Sequence, residues 1–188
     1  MLVAGQVAAQ ESPWLVRARS VNVSSVNENT TAVSGLGVKD KDIPEVDVTY
    51  FFNKNVAAEL ILTVPQQMTV KNNANGEIGT FSALPPTLTL QYHFTNFNSF
   101  KPYVGAGLNY TKITQTNVAG GAYSLDDSSY GFALQMGVDI PLTKQVSLNL
   151  DVKKLQIKTG VYDGATGAKA GDLTLDPTLI GVGIGYRF

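Results

Sequence analysis

The chain has 188 residues, of which 44% are hydrophobic and 15% charged, and a formal net charge of −1, which suits a single domain and gives no basic excess for a nucleic-acid partner. With no cysteine, a disulfide framework, a thiolate metal site and a cysteine nucleophile are all excluded. No stretch approaches the roughly 20 consecutive apolar residues of a membrane helix, and the 18 glycines argue against an ordinary helical protein.

Residues 1–12, MLVAGQVAAQES, are small and apolar, and Val7-Ala8-Ala9 resembles the approach to a signal-peptidase site. They are expected to be a residual signal peptide or a disordered N-terminal segment ahead of one domain over residues 13–188. From there apolar residues recur at spacing two, the period of a strand. The first strand sets Trp14, Val16 and Ala18 against Arg17 and Arg19. The second sets Val46, Val48, Tyr50 and Phe52 against Asp47 and Thr49; the third, Ala58, Leu60, Leu62 and Val64 against Glu59, Ile61 and Thr63. The fourth runs Leu88 to Phe94 against Thr87, Thr89, Gln91 and His93, and the fifth Val104 to Tyr110 against Gly105, Gly107 and Asn109. The sixth alternates Phe132 to Ile140 with Ala133, Gln135, Gly137 and Asp139, and the seventh Val146 to Val152 with Ser147, Asn149, Asp151 and Lys153. The eighth, TLIGVGIGYRF, closes the chain at Phe188.

One phase of these eight strands carries no charge across its middle, and the charges gather in the other. A strand set facing water would show Lys and Glu where this one shows Leu and Val. The pattern predicts an all-β protein: an eight-stranded antiparallel transmembrane β-barrel, apolar toward lipid and polar toward its lumen, closed because lipid cannot satisfy an open sheet edge. Connections near residues 53–55, 95–101 and 141–145 are short, whereas those near 26–44, 66–84, 113–129 and 159–174 are long and rich in Asn, Gly, Asp and Ser. Short periplasmic turns and long extracellular loops predict an outer membrane of a Gram-negative bacterium with both termini periplasmic. Trp14, Phe52, Phe94, Tyr186 and Phe188 then fall at the periplasmic rim, and Tyr110, Tyr130 and Phe132 toward the outer rim, as interfacial aromatics do.

AAELILTVPQ, LPPTLTLQYHF, KPYVGAGLNYT and LDPTLIGVGIGYRF, in this order, resemble the outer-membrane protein W (OmpW) family, which includes the alkane-uptake protein AlkL. The resemblance spans about residues 13–188 and is weak around 26–44 and 113–129. It implies a narrow, partly hydrophobic lumen for passive uptake of small hydrophobic molecules that leave sideways through the barrel wall. It also implies that Phe188, a terminal aromatic after an alternating strand, serves as the signal read by the barrel-assembly machinery. Ile61 aligns with a position that constricts the lumen in family members. Lys153 stands where members can have Trp, so a charged floor with Asp151 or Glu59 is the alternative to a hydrophobic constriction.

Along the inward phase the lining changes from charged to apolar. Arg17, Arg19, Glu59, Asp139, Asp151, Lys153 and Arg187 form an expected lumen plug, and Val21, Val23, Ile61, Ile113, Leu155, Ile157, Leu173, Leu175 and Leu179 an expected hydrophobic chamber above it. An apolar concavity is the usual character of a small-molecule site; the competing reading is plain packing of the upper barrel, since eight strands leave room for little more than their own side chains. Pro65, Pro85 and Pro86 lie at one outer corner of neighbouring strands. Lacking the N–H that a ladder needs, they mark either strand ends or a lateral exit, and the resemblance favours the exit.

The single histidine, His93, has no companion serine in its strand, so neither a hydrolase nor a metal site is expected, and no cofactor. The expected partners are small hydrophobic molecules, outer-membrane lipid and, during biogenesis, the assembly machinery. Two other functions remain open: a narrow ion or polar-solute pore, and a structural or adhesive barrel whose loops bind a partner.

Overall fold

The computed structural model describes residues 12–24, 28–29, 37–72, 76–97 and 99–188. Residues 1–11 of the expected N-terminal segment 1–12, and residues 26–27 and 30–36 of the first long connection, lie outside the described residues. In chain order the strands are β1 (Trp14–Ser24), β2 (Glu28–Asn29), β3 (Gly37–Val38), β4 (Lys41–Phe51), β5 (Val56–Thr63), β6 (Gln66–Asn72), β7 (Gly76–Leu84) and β8 (Thr87–His93). They continue with β9 (Lys101–Val118), β10 (Tyr123–Leu125), β11 (Ser128–Pro141), β12 (Val146–Leu155), β13 (Lys158–Asp163), β14 (Lys169–Thr174) and β15 (Thr178–Arg187).

Eight of these described strands close on themselves in the order β1, β4, β5, β8, β9, β11, β12 and β15, every neighbour antiparallel. The β1–β15 ladder, from Leu15 opposite Arg187 to Ser24 opposite Thr178, seals the ring. Closure follows from the alternation: Leu, Val and aromatic side chains point outward on every wall, with Tyr130 79% and Phe132 65% exposed, while Arg17, Asp47 and Glu59 inside are 0% exposed. A band of that size in water would be an aggregation surface; against hydrocarbon it carries no penalty and leaves the polar phase to fill the lumen.

Trp14 and Phe188 lie together at one end of the barrel, here the terminal end; the opposite end is the loop end. Aromatic pairs ring the terminal end, with Trp14 and Tyr50 centroids 4.8 Å apart, Tyr92 and Phe94 5.2 Å, and Tyr186 and Phe188 5.1 Å. Tyr110 and Tyr130 pair at 4.8 Å toward the loop end.

The strands run further than their apolar phase, and the long connections near residues 66–84 and 159–174 hold paired strands of their own. β4 begins at Lys41, β9 reaches Val118 and β11 begins at Ser128; β6 pairs with β7, and β13 with β14. These extensions have an inverted pattern, apolar inside and polar outside. Val38, Val70, Val118, Val161 and Leu173 are buried in one cluster with Val21, while Asn22, Lys112 and Lys154 face out. A polar outer face is what a wall standing in water requires, so outward apolar residues do not mark these strands.

Glycine density on the last strand has two local causes. A Cβ on Gly181 would press on the stem of Arg19, and one on Gly185 on Ser147 Oγ and then the stem of Arg17, so these glycines make room for lumen side chains. A Cβ on Gly183 would strike the Ala18 carbonyl of the adjoining strand, so there the backbones themselves approach too closely for any side chain.

Candidate functional site

The middle of the lumen is filled by a charged network. Arg17 on β1 gives Nε and Nη2 to Asp139 on β11 at 3.1 and 2.7 Å, and Nη1 to Thr49 at 2.9 Å, Glu59 at 3.2 Å and Asp47 at 3.3 Å. Arg19, two residues on and so on the same face, reaches Glu45 at 2.8 Å, Glu59 at 3.1 Å and Asn149 at 2.7 Å. It meets Asp47 Oδ2 at 2.7 Å as an ion pair without the alignment of a hydrogen bond. Lys153 donates to Glu45 and Asp151, each at 2.7 Å. Gln91 and Gln135 amides cover Glu59 at 2.8 Å, and the Tyr103 hydroxyl donates to Asp151 at 2.7 Å. His93 bonds Gln91 at 2.9 Å and stacks on Tyr103 at 5.0 Å, a structural placement inside the network.

Of the expected plug residues, Arg17, Arg19, Glu59, Asp139, Asp151 and Lys153 come together here. Arg187 is placed differently: it stands at the terminal-end mouth, donating Nε to Ser12 O at 2.8 Å and covering Phe51 at 4.3 Å. Sequence reasoning did not assign Glu45, Tyr103, Gln91, Gln135 and Asn149 to the floor, and for Glu45 the signal existed, since it shares the inward phase of Asp47 and Thr49. Lys153 pairs with Glu45 and Asp151 rather than directly with Glu59. The network contains five buried carboxylates, Glu45, Asp47, Glu59, Asp139 and Asp151, against three buried cations, Arg17, Arg19 and Lys153. Passage of an apolar solute through it would strip buried ions of partners at several kcal/mol each.

Above this floor lies a cavity of about 60 Å³. Val23, Ile113, Leu155, Ile157, Leu175 and Leu179 from the expected chamber line it, together with Ile43, Met68, Phe81, Ala83, Pro85 and Pro177. Val21 and Leu173 are buried in the same cluster but pack beside or above the cavity, and Ile61, opposite Asp47 and Thr87, is buried outside its lining. The two polar side chains in the lining are turned away from it: Thr111 donates to Asn109 Oδ1 at 2.8 Å, and the Gln66 amide to Val64 O at 3.1 Å. The cavity therefore presents carbon surface.

The three prolines lie where the wall changes from barrel to extension. Pro65 separates β5 from β6, and Pro85-Pro86 separate β7 from β8. The β5–β8 ladder ends at Ile61 opposite Thr87, and the β6–β7 ladder starts at Gln66 opposite Ala83, so residues 62–65 and 84–86 face each other without ladder pairs. Gln66, Ala83 and Pro85 flank this gap and also line the cavity. Pro85-Pro86 remain fixed on their other side, since the Pro86 carbonyl accepts from Tyr110 N at 3.0 Å.

At the loop end, outside the apolar band, β13–β14 is tied by its own charges. The Thr166 hydroxyl and backbone N–H hold the Asp163 carboxyl below the usual carboxylate range, and Lys169 does the same to Asp172, with Lys158 adding to it. Among the described residues no cluster of His, Asp and Glu suits a metal ion.

A family model described as the OmpW family matches residues 4–188. An uncharacterized outer-membrane protein, y4mB, of Sinorhizobium fredii is 41% identical over 97% of this chain and 82% of its own length. The dibenzothiophene metabolism operon protein PahQ of Pseudomonas aeruginosa is 31% identical over 96% of this chain and 90% of its own. The crystal structure of the outer membrane protein OprG from Pseudomonas aeruginosa superposes with a TM-score of 0.82 at 25% identity, covering 95% of this chain and 97% of that one. With the closed, outwardly apolar barrel, these matches establish that the chain belongs to the OmpW family of β-barrels in the Gram-negative outer membrane.

Proposed function

We propose that the protein is a passive conduit for small hydrophobic molecules. The loop end faces the outside and both termini the periplasm; cargo occupies the apolar cavity and leaves laterally through the gap beside Pro65, Pro85 and Pro86. The observation that carries this reading is a carbon-lined cavity that borders a gap in the wall and stands on a sealed floor. A molecule that cannot descend past the Arg17 and Arg19 network has the wall as its remaining route to the membrane. The name of the 31% identical relative, which refers to dibenzothiophene metabolism, agrees with an apolar cargo.

The cavity volume sets a condition. A pocket that holds benzene measures about 150 Å³, so about 60 Å³ is a resting state that cargo must enlarge. Met68 is suited to this, having three rotatable bonds and no branch.

The test is uptake of N-phenylnaphthylamine by intact cells of a host without its own barrel of this kind. Leu179→Asp or Leu155→Asp puts a charge into the cavity and is expected to reduce uptake to the level of cells without the protein. Pro65→Ala with Pro85→Ala is expected to slow it. Uptake unchanged in variants that retain the folded, heat-modifiable gel mobility of a barrel refutes the reading.

A further inference from the structure

Beside the gap already described there is a second, longer break in the wall, between β4 and β6. Below it Glu45 lies opposite Thr63, and above it Val38 lies opposite Val70, at the same offset. Residues 40–44 thus run alongside 64–68, yet no ladder pair joins them among the described residues.

Two causes act together. Pro44 and Pro65 supply no N–H, and the Thr63 hydroxyl, donating to Pro44 O at 2.7 Å, shows that the missing N–H of Pro44 belongs to this side of its strand. The inward phase also changes. On β5 it falls on Glu59 and Ile61, on β6 on Gln66, Met68 and Val70, because Val64 and Pro65 both face out. On the opposite edge Ile43 faces in with Glu45, and Lys39 and Asp40 both face out before Val38 turns in again. Pro44 and Val64 both face out, but beyond them Ile43 and Pro65, Asp42 and Gln66, and Asp40 and Met68 point to opposite sides of the wall, which a ladder cannot accommodate.

The inner lips of the break, Ile43, Gln66 and Met68, line the cavity. Its outer lips differ from those of the other gap, which are Leu62, Val64 and Leu88 and face hydrocarbon. At its lower end the break shares Val64 with that gap, but above Val64 and Pro65 its outer lips are Asp42 and Gln67, with Lys41 donating from Nζ across the break to Gln67 O at 3.0 Å. A polar rim places this opening at the level of lipid headgroups rather than acyl chains. Straight above the cavity, by contrast, Val38, Val70, Val118, Val161 and Leu173 close the column, each at most 2% exposed.

We infer that the break between β4 and β6 is the way into the chamber, a polar-rimmed lateral portal that admits hydrophobic molecules already dissolved in the outer leaflet, with the Lys41 to Gln67 hydrogen bond as its latch. The inference rests on the proposed transport function and assigns it a loading side distinct from the exit beside Pro85.

Because the chain has no cysteine, each break can be stapled separately by a cysteine pair. In intact cells taking up N-phenylnaphthylamine, oxidised Asp42→Cys/Gln67→Cys is expected to fall to the level of cells without the barrel and to recover with reductant. Lys41→Ala is expected to raise uptake about two- to fivefold, the shift in an opening equilibrium from losing one exposed hydrogen bond. Pro44→Ala, which restores a donor on the seam, is expected to lower uptake and serves if the disulfide does not form. Full uptake in the oxidised pair overturns the portal, as does uptake unmoved by both Lys41→Ala and Pro44→Ala. If only the staple Leu62→Cys/Pro86→Cys across the other gap blocks uptake, the portal is wrong and the transport reading stands. If unmodified protein gives no uptake above barrel-free cells, the transport reading itself fails.

Discussion

The charge imbalance of the floor makes a prediction about which ion pairs matter. Arg17→Met removes the bidentate partner of Asp139 and a partner of Asp47, Glu59 and Thr49, leaving Asp139 with Asn149 at 2.9 Å. Stranding buried carboxylates in this way costs about 3–5 kcal/mol. Lys153→Met removes two contacts of 2.7 Å, but Glu45 keeps Arg19 at 2.8 Å, and Asp151 keeps Tyr103 at 2.7 Å and Gln135 at 2.9 Å. Its cost is expected to be nearer about 2 kcal/mol. Glu45→Gln deletes the anion in two ion pairs and should still lie within about 1 kcal/mol of the parent, because five carboxylates face three cations and removing one relieves repulsion while an acceptor oxygen remains. Added to Lys153→Met, Glu45→Gln should return part of the lost stability. Urea unfolding in phospholipid vesicles, followed by the fluorescence of the single tryptophan, Trp14, measures all four proteins. A Lys153→Met cost equal to that of Arg17→Met, or a Glu45→Gln substitution that deepens the Lys153→Met defect, would refute the charge-balance argument.

Phe81→Ala should destabilise the barrel by about 3–5 kcal/mol and strengthen binding of a bicyclic hydrocarbon by the purified protein, read as recovery of stability on adding naphthalene. Gly183→Ala, whose Cβ strikes the Ala18 carbonyl, should fail to reach the heat-modifiable folded form, whereas Gly76→Ala, which meets open space, should fold with only the mild cost of its positive φ. Planar-bilayer recordings of the parent should show no steady conductance, since the network leaves no wide aqueous path; steady current that responds to Lys153→Met would favour an ion pore. In the loop-end hairpin the Asp163 carboxyl lies below its unfolded value, so its contribution is present above about pH 4 and lost only as pH falls through the lower folded value. Amide exchange protection at Ala165 and Thr166 should accordingly hold from neutral pH to about pH 5 and decline below about pH 4.

The membrane-embedded part of the fold was legible because lipid imposes one rule on every strand. Outward Val, Leu and aromatic residues at spacing two located all eight strands, and the same parity put Arg17, Arg19, Glu59 and Asp139 inside. The rule lapses where the wall leaves lipid. Met68, Val70 and Phe81 are inward residues of real strands, yet their neighbours Gln67, Thr69 and Thr80 look like loop residues. The cavity inherited that blindness: its lower lining, Leu155 and Leu179, continues barrel strands and was readable, whereas Met68 and Phe81 come from β6 and β7, inside a long connection. Ile61 failed for the opposite reason. Its parity is right, but β5 ends two residues later, and its height opposite Asp47 and Thr87 keeps it outside the cavity.

Prolines at both wall breaks have a common energetic logic. A backbone N–H left unpaired against hydrocarbon costs several kcal/mol, so a membrane barrel cannot simply omit ladder bonds to make an opening. Pro44, Pro65 and Pro85 remove the donor outright, and side chains attend to acceptors that remain: Thr63 for Pro44 O, Thr87 for Pro85 O and the Gln66 amide for Val64 O. An eight-stranded barrel is too narrow to pass cargo along its axis once Arg17 and Arg19 have filled it. Its lumen can reach the membrane only where ladder bonds are absent at low cost, and among the described residues the two flanks of the Val64-Pro65 segment are such places, each bordered by residues that line the same carbon-lined cavity.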